Sequence, residues 1–249
     1  MTTEFTCPLP VGLETDLWER MPLNAQKALL SAETMLSLQP PELDHGLAVV
    51  GYFKAIEITL EDRIFGWFRH QMLAETQIEA SASLSAYQEE IAPYRSQIMS
   101  ALRGIIGDPK LQIERKLTLI EERIRLLEEM EKEYDQAYRL HSYVYLGKPL
   151  TLVGMAQILQ YLKRVGDETR FGLLWSLKRF VKLHYAESHR FWSAKRQLAI
   201  RLEAAVLADR NPAAHVEVHS KERALMVRRK ILGDRSQEGI LVSILKVLA

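Results

Sequence analysis

The chain has 249 residues, 47% of them hydrophobic and 26% charged, with a formal net charge of +1. That is enough apolar material for one large domain or two small ones, and a balance near neutrality gives the whole molecule no global bias toward polyanions. Cys7 is the sole cysteine, which excludes an internal disulfide and a thiolate metal cluster.

The charge is unevenly spread. Residues 161–235 hold 17 Lys/Arg against 8 Asp/Glu, and the remainder holds 16 against 24. A basic C-terminal third is therefore joined to an acidic remainder, read either as solvated helix faces or as a polyanion surface. The start, "MTTEFTCPLPVGLETDLWER", has acids and prolines where a leader needs a basic head and an apolar run. No stretch approaches the roughly 18 apolar residues of a membrane span. The expectation is a soluble, cytoplasmic protein with no membrane partner.

Glycine and proline are sparse and apolar spacing is mostly helical, so the predicted fold class is all-α. Residues 1–15 read as extended. A helix is expected over 16–36, ended by "QPPELD". A second starts after Asp44, with Val49, Tyr52, Phe53, Ile56, Leu60 and Ile64 in steps of three and four. Glu57 falls within that stripe. It is either a buried acid that needs a partner or an edge residue in water.

Residues 76–108 are more polar, with turn signals at Pro93, "RG" and "GDP". Beyond them Ile113, Leu117, Ile120, Ile124, Leu127, Tyr134 and Tyr138 trace a narrow, coiled-coil-like seam. That seam suits a bundle helix or an exposed arm packing on a partner. A helix opens at about Thr151, and "DETRFGLLWSLKRF" onward supplies one or two more. "PAAHVEVHSKERALMVRRKIL" is the last long helix, ended by Gly233. The apolar ending "ILVSILKVLA" suits a docked terminal segment.

An arginine followed by a histidine after four to six residues occurs three times. Arg63 and His70 lie about 10 Å apart along one helix. Arg179 and His184, five helical steps apart, diverge by about 140°. Only Arg210 and His215 are expected to straddle a helix break, with Asn211 as N-cap and Pro212 at the first helical position. Their side chains would then approach one site beside a helix N-terminus, a favourable place for anions. A histidine can exchange a proton near neutral pH, and an arginine can hold phosphate oxygens as charge grows on them. Ordinary capping, with Arg210 paired to Asp209 or Glu57, is the competing reading. His215 and His219, four apart on one expected helix face, raise zinc, but no third ligand is marked and Glu217 points away. No metal or cofactor is assigned. Arg223, Arg228, Arg229 and Lys230 carry basic charge down the same expected helix, as an RNA-binding strip or a solvated face.

"RNPAAH" resembles the signature of the HEPN superfamily, whose ribonucleases carry an arginine, four to six residues and a histidine, commonly with a polar residue after the arginine. "GYFKAIEITLEDRIF" resembles an early helix of that family and "PLTLVGMAQILQYL" a middle one. The resemblance covers roughly 44–75 and 150–232. It divides the chain into an extension, 1–40, and a HEPN-like helical bundle, 41–249, with an inserted helical arm at about 76–149. It implies a homodimer whose groove is formed by two motifs, with Arg210, Asn211 and His215 catalytic and Glu57 and His219 in support. The activity implied is metal-independent endoribonuclease cleavage of cellular RNA, tRNA among the candidates, by 2′-hydroxyl attack in a toxin or anti-phage defence setting. A regulatory protein, antitoxin or sensor, would be a further partner. A non-catalytic dimerisation or interaction module that binds a partner protein or RNA is the alternative.

Overall fold

The computed structural model describes residue 10 and residues 13–75, 83–166, 172–193, 197–215 and 217–249. Most of the extended start expected for 1–15 lies outside them. The described residues are helical, with one isolated bridge, Gly233 to Glu238, in place of any strand. No helix among them is long and apolar enough to cross a membrane.

The helix expected over 16–36 is two helices, α1 (Thr15–Arg20) and α2 (Leu23–Leu38). Pro22 divides them: the residue before a proline is pushed out of the helical region, and Met21 sits at φ −68°, ψ 140°. α3 (Gly46–Leu60) is the centre of the molecule. All six residues of its expected stripe, Val49 through Ile64, are sealed from solvent. α2 packs along one side of it, and α7 and α11 meet it elsewhere.

α3 does not stop at Leu60. A π turn, Glu61–Phe65, leads into α4 (Gly66–Glu75), giving one long helix. The Gly66 N–H donates to the Glu61 carbonyl, five residues back. A Cβ at position 66 would stand 2.8 Å from that oxygen, closer than side-chain carbons come, so glycine is needed there.

α5 (Ser83–Gly107) runs through Pro93, where sequence signals pointed to a turn. It pairs with the outer part of α6 (Ile113–Leu146) as a helical hairpin. The seam on α6 is buried only near its inner end. Ile113 is 76% exposed and Leu117 and Ile124 also face water, whereas Ala137, Leu140, Tyr143 and Val144 join the core. One helix thus serves as both arm and bundle member. On α6 contact with the core begins near Tyr134, whereas Glu131 still faces Arg95 of α5.

Gly147, at φ 67°, ends α6 in the left-handed region that glycine tolerates. α7 (Leu152–Tyr161) starts as expected, with the Thr151 hydroxyl accepting from the Gly154 N–H at 3.1 Å. α8 (Gly172–His184), a 3-10 turn (Ser188–Phe191) and α9 (Leu198–Ala205) follow. α12 (Ile240–Val247) closes the described chain as a docked segment, with Ile240, Leu241, Ile244 and Leu245 buried.

Candidate functional site

The chain does not break at Asn211. α9 continues through a second π turn, Val206–Arg210, into α10 (Asn211–His215). Asn211 has helical angles, φ −65° and ψ −46°, and its N–H donates to the Val206 carbonyl. It is therefore no N-cap. Pro212 explains the irregularity: it lacks an N–H and its ring crowds the carbonyl four residues back, which a wider turn relieves. In a regular helix that carbonyl, on Ala208, would await the missing proton. Here Arg223 Nη2 donates to it at 3.2 Å. Beside it, buried Asp209 is paired with Lys230.

A continuous helix changes the geometry of the arginine-histidine pair. Arg210 and His215 are five steps apart and diverge by about 140° around the axis. They do not converge within one chain. Arg210 is half-buried and turns toward α3, where its guanidinium stands 4.0 Å from Glu57 Oε2. Glu57 also accepts from Lys54 at 3.1 Å, so it lies at the edge of the α3 stripe with two cationic neighbours. His215 is exposed and forms no hydrogen bond or ion pair with a described residue. Asn211 lies one turn before His215 and shares its face.

His219 is not on the helix of His215. Residues 217–220 are irregular, and α11 (Lys221–Leu232) begins afresh with the Ser220 hydroxyl accepting from the Arg223 N–H. The motif therefore closes a helix, and the last long helix starts five residues after it. Two signals in the sequence point there: β-branched Val216 and Val218 disfavour a helix, and serine is a strong N-cap. His219 is buried. Its N–H donates to Asp44 Oδ1 at 2.8 Å, its carbonyl accepts from the His45 N–H at 2.9 Å, and its Nδ1 lies 3.0 Å from the Glu217 carbonyl. These contacts clamp the 217–220 segment to the start of α3. The backbone N–H groups of His219 and Gly46 hold the Asp44 carboxyl below its ordinary range. The zinc geometry considered for His215 and His219 does not form.

The basic strip is largely committed inside the chain. Arg228 makes a two-pronged contact with Glu33, at 2.7 and 3.0 Å, and the Tyr52 hydroxyl donates to the same carboxylate at 2.7 Å. Burial, followed by the Glu33 charge, pushes the Tyr52 hydroxyl well above its usual value. Lys230 is held by Asp209. Arg223 is held by the Ala208 carbonyl and stands 3.9 Å from Glu217. Arg229 is exposed. Helical spacing cannot reveal such pairings, because their partners come from α2 and the π turn.

On the other side of Glu57 a cleft of about 460 Å³ opens between α3, α4 and the α6–α7 corner. Lys54, Arg69 and Lys148 line it together with Glu57, Glu61 and Asp62. The Arg69 guanidinium lies 5.4 Å over the Tyr143 ring, and the Tyr143 hydroxyl donates to Glu61. Opposite charges in equal number make this cleft a poor channel for a polyanion. No sequence motif marks it, since its residues come from two stretches of chain far apart in sequence. No family model, curated protein or solved structure matches the chain.

Proposed function

We propose that the chain is a metal-independent endoribonuclease whose site is completed only by a second copy. What supports this reading is the resemblance of "RNPAAH" to the HEPN signature; the divergence of Arg210 and His215 on one helix, with His215 in water and Arg210 on the Glu57 side, runs against a site within one chain and leaves only a site shared between copies. A catalytic pair of these two residue types needs the histidine of one copy opposite the arginine of the other. Two-fold symmetry, the commonest arrangement of identical chains, would then create two such sites. The support for RNA is the resemblance of "RNPAAH" to the HEPN signature, together with the chemistry of its residues.

In that site the His215 imidazole takes the proton of a ribose 2′-hydroxyl. The oxygen attacks the adjacent phosphorus, the P–O5′ bond breaks, and a proton passes to the departing 5′-oxygen. Arg210 offers two parallel hydrogen bonds to the phosphate oxygens as negative charge builds on them. Glu57 holds Arg210 in position, and Asn211, beside His215, orients the imidazole or binds phosphate. The products are a 2′,3′-cyclic phosphate and a free 5′-hydroxyl. The family resemblance points to cellular RNA, tRNA among the candidates, and to a defence or toxin role under a regulatory partner.

The test is cleavage of total RNA in excess EDTA. His215→Ala and Arg210→Ala should each lose on the order of a hundredfold in rate. Mixing the two inactive variants should restore roughly a quarter of the wild-type activity. Half of the dimers are then mixed, and each of those keeps one intact site. Equal cleavage by wild type and both variants would sink the assignment. A loss of cleavage in EDTA that divalent metal reverses would sink the metal-independent mechanism.

A second reading has its own observation. The outer half of the arm exposes Ile106, Ile113, Leu117 and Ile124 to solvent, which suits a helical module that docks on a partner protein.

A further inference from the structure

The face shared by α4 and α8 differs from three other clefts among the described residues. Its cleft of about 300 Å³ is lined by Trp175, Arg179, Phe180 and His184 with their neighbours on α4, and by no carboxylate among the described residues. The cleft beside Glu57 has three acids, and those on α6 are lined by Glu128, Glu131 and Asp135 or by Asp135 and Glu203.

The α4–α8 cleft brings aromatic rings and one guanidinium together. Trp67 is 45% exposed and its ring lies 4.2 Å from that of His184 and 5.2 Å, edge-on, from Phe180. The Arg179 guanidinium stands 5.4 Å over Trp175. Trp175, Arg179 and Lys182 follow steps of four and three, so they share one side of α8. Arg179, Lys182 and His184 are exposed.

We propose that this face is a platform for single-stranded RNA, with an unpaired base stacking on the Trp67–His184 rings and Arg179, across the cleft, taking a flanking phosphate. Unpaired bases offer their faces to aromatic rings, and cations without competing acids follow the backbone. A duplex hides its base faces, so the platform discriminates against it. The choice of RNA rests on the ribonuclease reading, whereas the stacking and charge do not involve Arg210 or His215.

The experiment measures anisotropy of a fluorescein-labelled oligoadenylate in EDTA across a salt series. Wild type and His215→Ala should bind alike, and a hairpin duplex should bind more weakly. Arg179→Glu should weaken binding on the order of tenfold and flatten the salt dependence by about 0.7 for each phosphate left without its cation. Trp67→Ala should weaken binding on the order of tenfold at an unchanged salt slope, since stacking carries no counterion term. Trp67 packs on Phe180, so its variant is checked by circular dichroism. Exposed Arg179 gives the test that does not depend on folding. No binding by wild type at low salt, or equal binding by Arg179→Glu, would overturn the platform. Equal binding of the duplex, or unchanged binding by a folded Trp67→Ala protein, would show charge without stacking and overturn it too. Binding without cleavage removes the nuclease reading and leaves the platform. Cleavage with Arg179→Glu binding unchanged does the reverse.

Discussion

The two π turns among the described residues solve the same backbone problem with different partners. The first, Glu61–Phe65, has Ile64 and Phe65 fully buried, and its stray groups are met by tyrosines: Tyr185 donates to the Arg63 carbonyl and Tyr143 to the Glu61 carboxylate. Burial pushes the Tyr185 hydroxyl up to about 12, so it stays a donor at any ordinary pH. The second, Val206–Arg210, has Leu207 and Ala208 in water and is met by cations of α11: Arg223 on the Ala208 carbonyl and Lys230 on Asp209. Each turn keeps two residues buried and two in water, Asp62 and Arg63 in the first and Leu207 and Ala208 in the second, so the difference lies in the partners: neutral hydroxyls meet the first and cations meet the second. The second arrangement is the more sensitive to salt and substitution.

The sharpest way to break this contrast is Gly66→Ala. The new Cβ would meet the Glu61 carbonyl at 2.8 Å in a packed setting, and we expect a loss of about 1–3 kcal/mol by denaturant unfolding. Stability equal to wild type would mean that the first turn yields to an added methyl group without loss. Arg223→Ala should cost less, about 0.5–1.5 kcal/mol, because water can reach the Ala208 carbonyl in its place. Molar salt should narrow the difference between Arg223→Ala and wild type if charge steering matters, and leave it unchanged if only the hydrogen bond does.

Asp44 couples the α3 start to the segment after α10, and its contribution has a defined pH sign. Its folded carboxyl titrates below the ordinary value, so its stabilisation is complete above the unfolded pKa of about 3.9 and is lost as pH falls through the folded one. Asp44→Ala should cost about 1 kcal/mol at neutral pH, as loss of a cap does, and flatten the acid limb of a stability-against-pH curve. An acid limb identical to wild type would place the linkage elsewhere. The smallest effect belongs to Pro212→Ala. Supplying the missing N–H lets the helix regularise, so stability should change by less than about 1 kcal/mol. Hydrogen exchange should then show protection at residue 212. If the π turn also sets the direction of Arg210, RNA cleavage should fall further than stability does.

Much of the helical frame was legible in the chain itself. The α3 stripe, the Thr151 cap and the Gly233 stop are local consequences of spacing, hydroxyl capping and φ freedom, and each stands where the sequence pointed. The seam on α6 was legible as a pattern, but its burial along only half the helix depends on where the bundle ends. The candidate site was legible in its residues and not in its geometry. Asn-Pro reads equally well as a helix start or as the sequel to a π turn. The outcome turns on whether the carbonyl left without a donor finds one, and that donor is Arg223, fifteen residues farther on in sequence and on another helix. The same holds for His219, whose burial follows from Asp44 and His45 at the far end of the chain. Local patterning determined which segments are helices and which faces are apolar, because those follow from periodicity alone. Tertiary structure decided where the Arg210 helix ends, which cations are already paired and which way Arg210 and His215 point, because each depends on partners that only folding brings within hydrogen-bond reach.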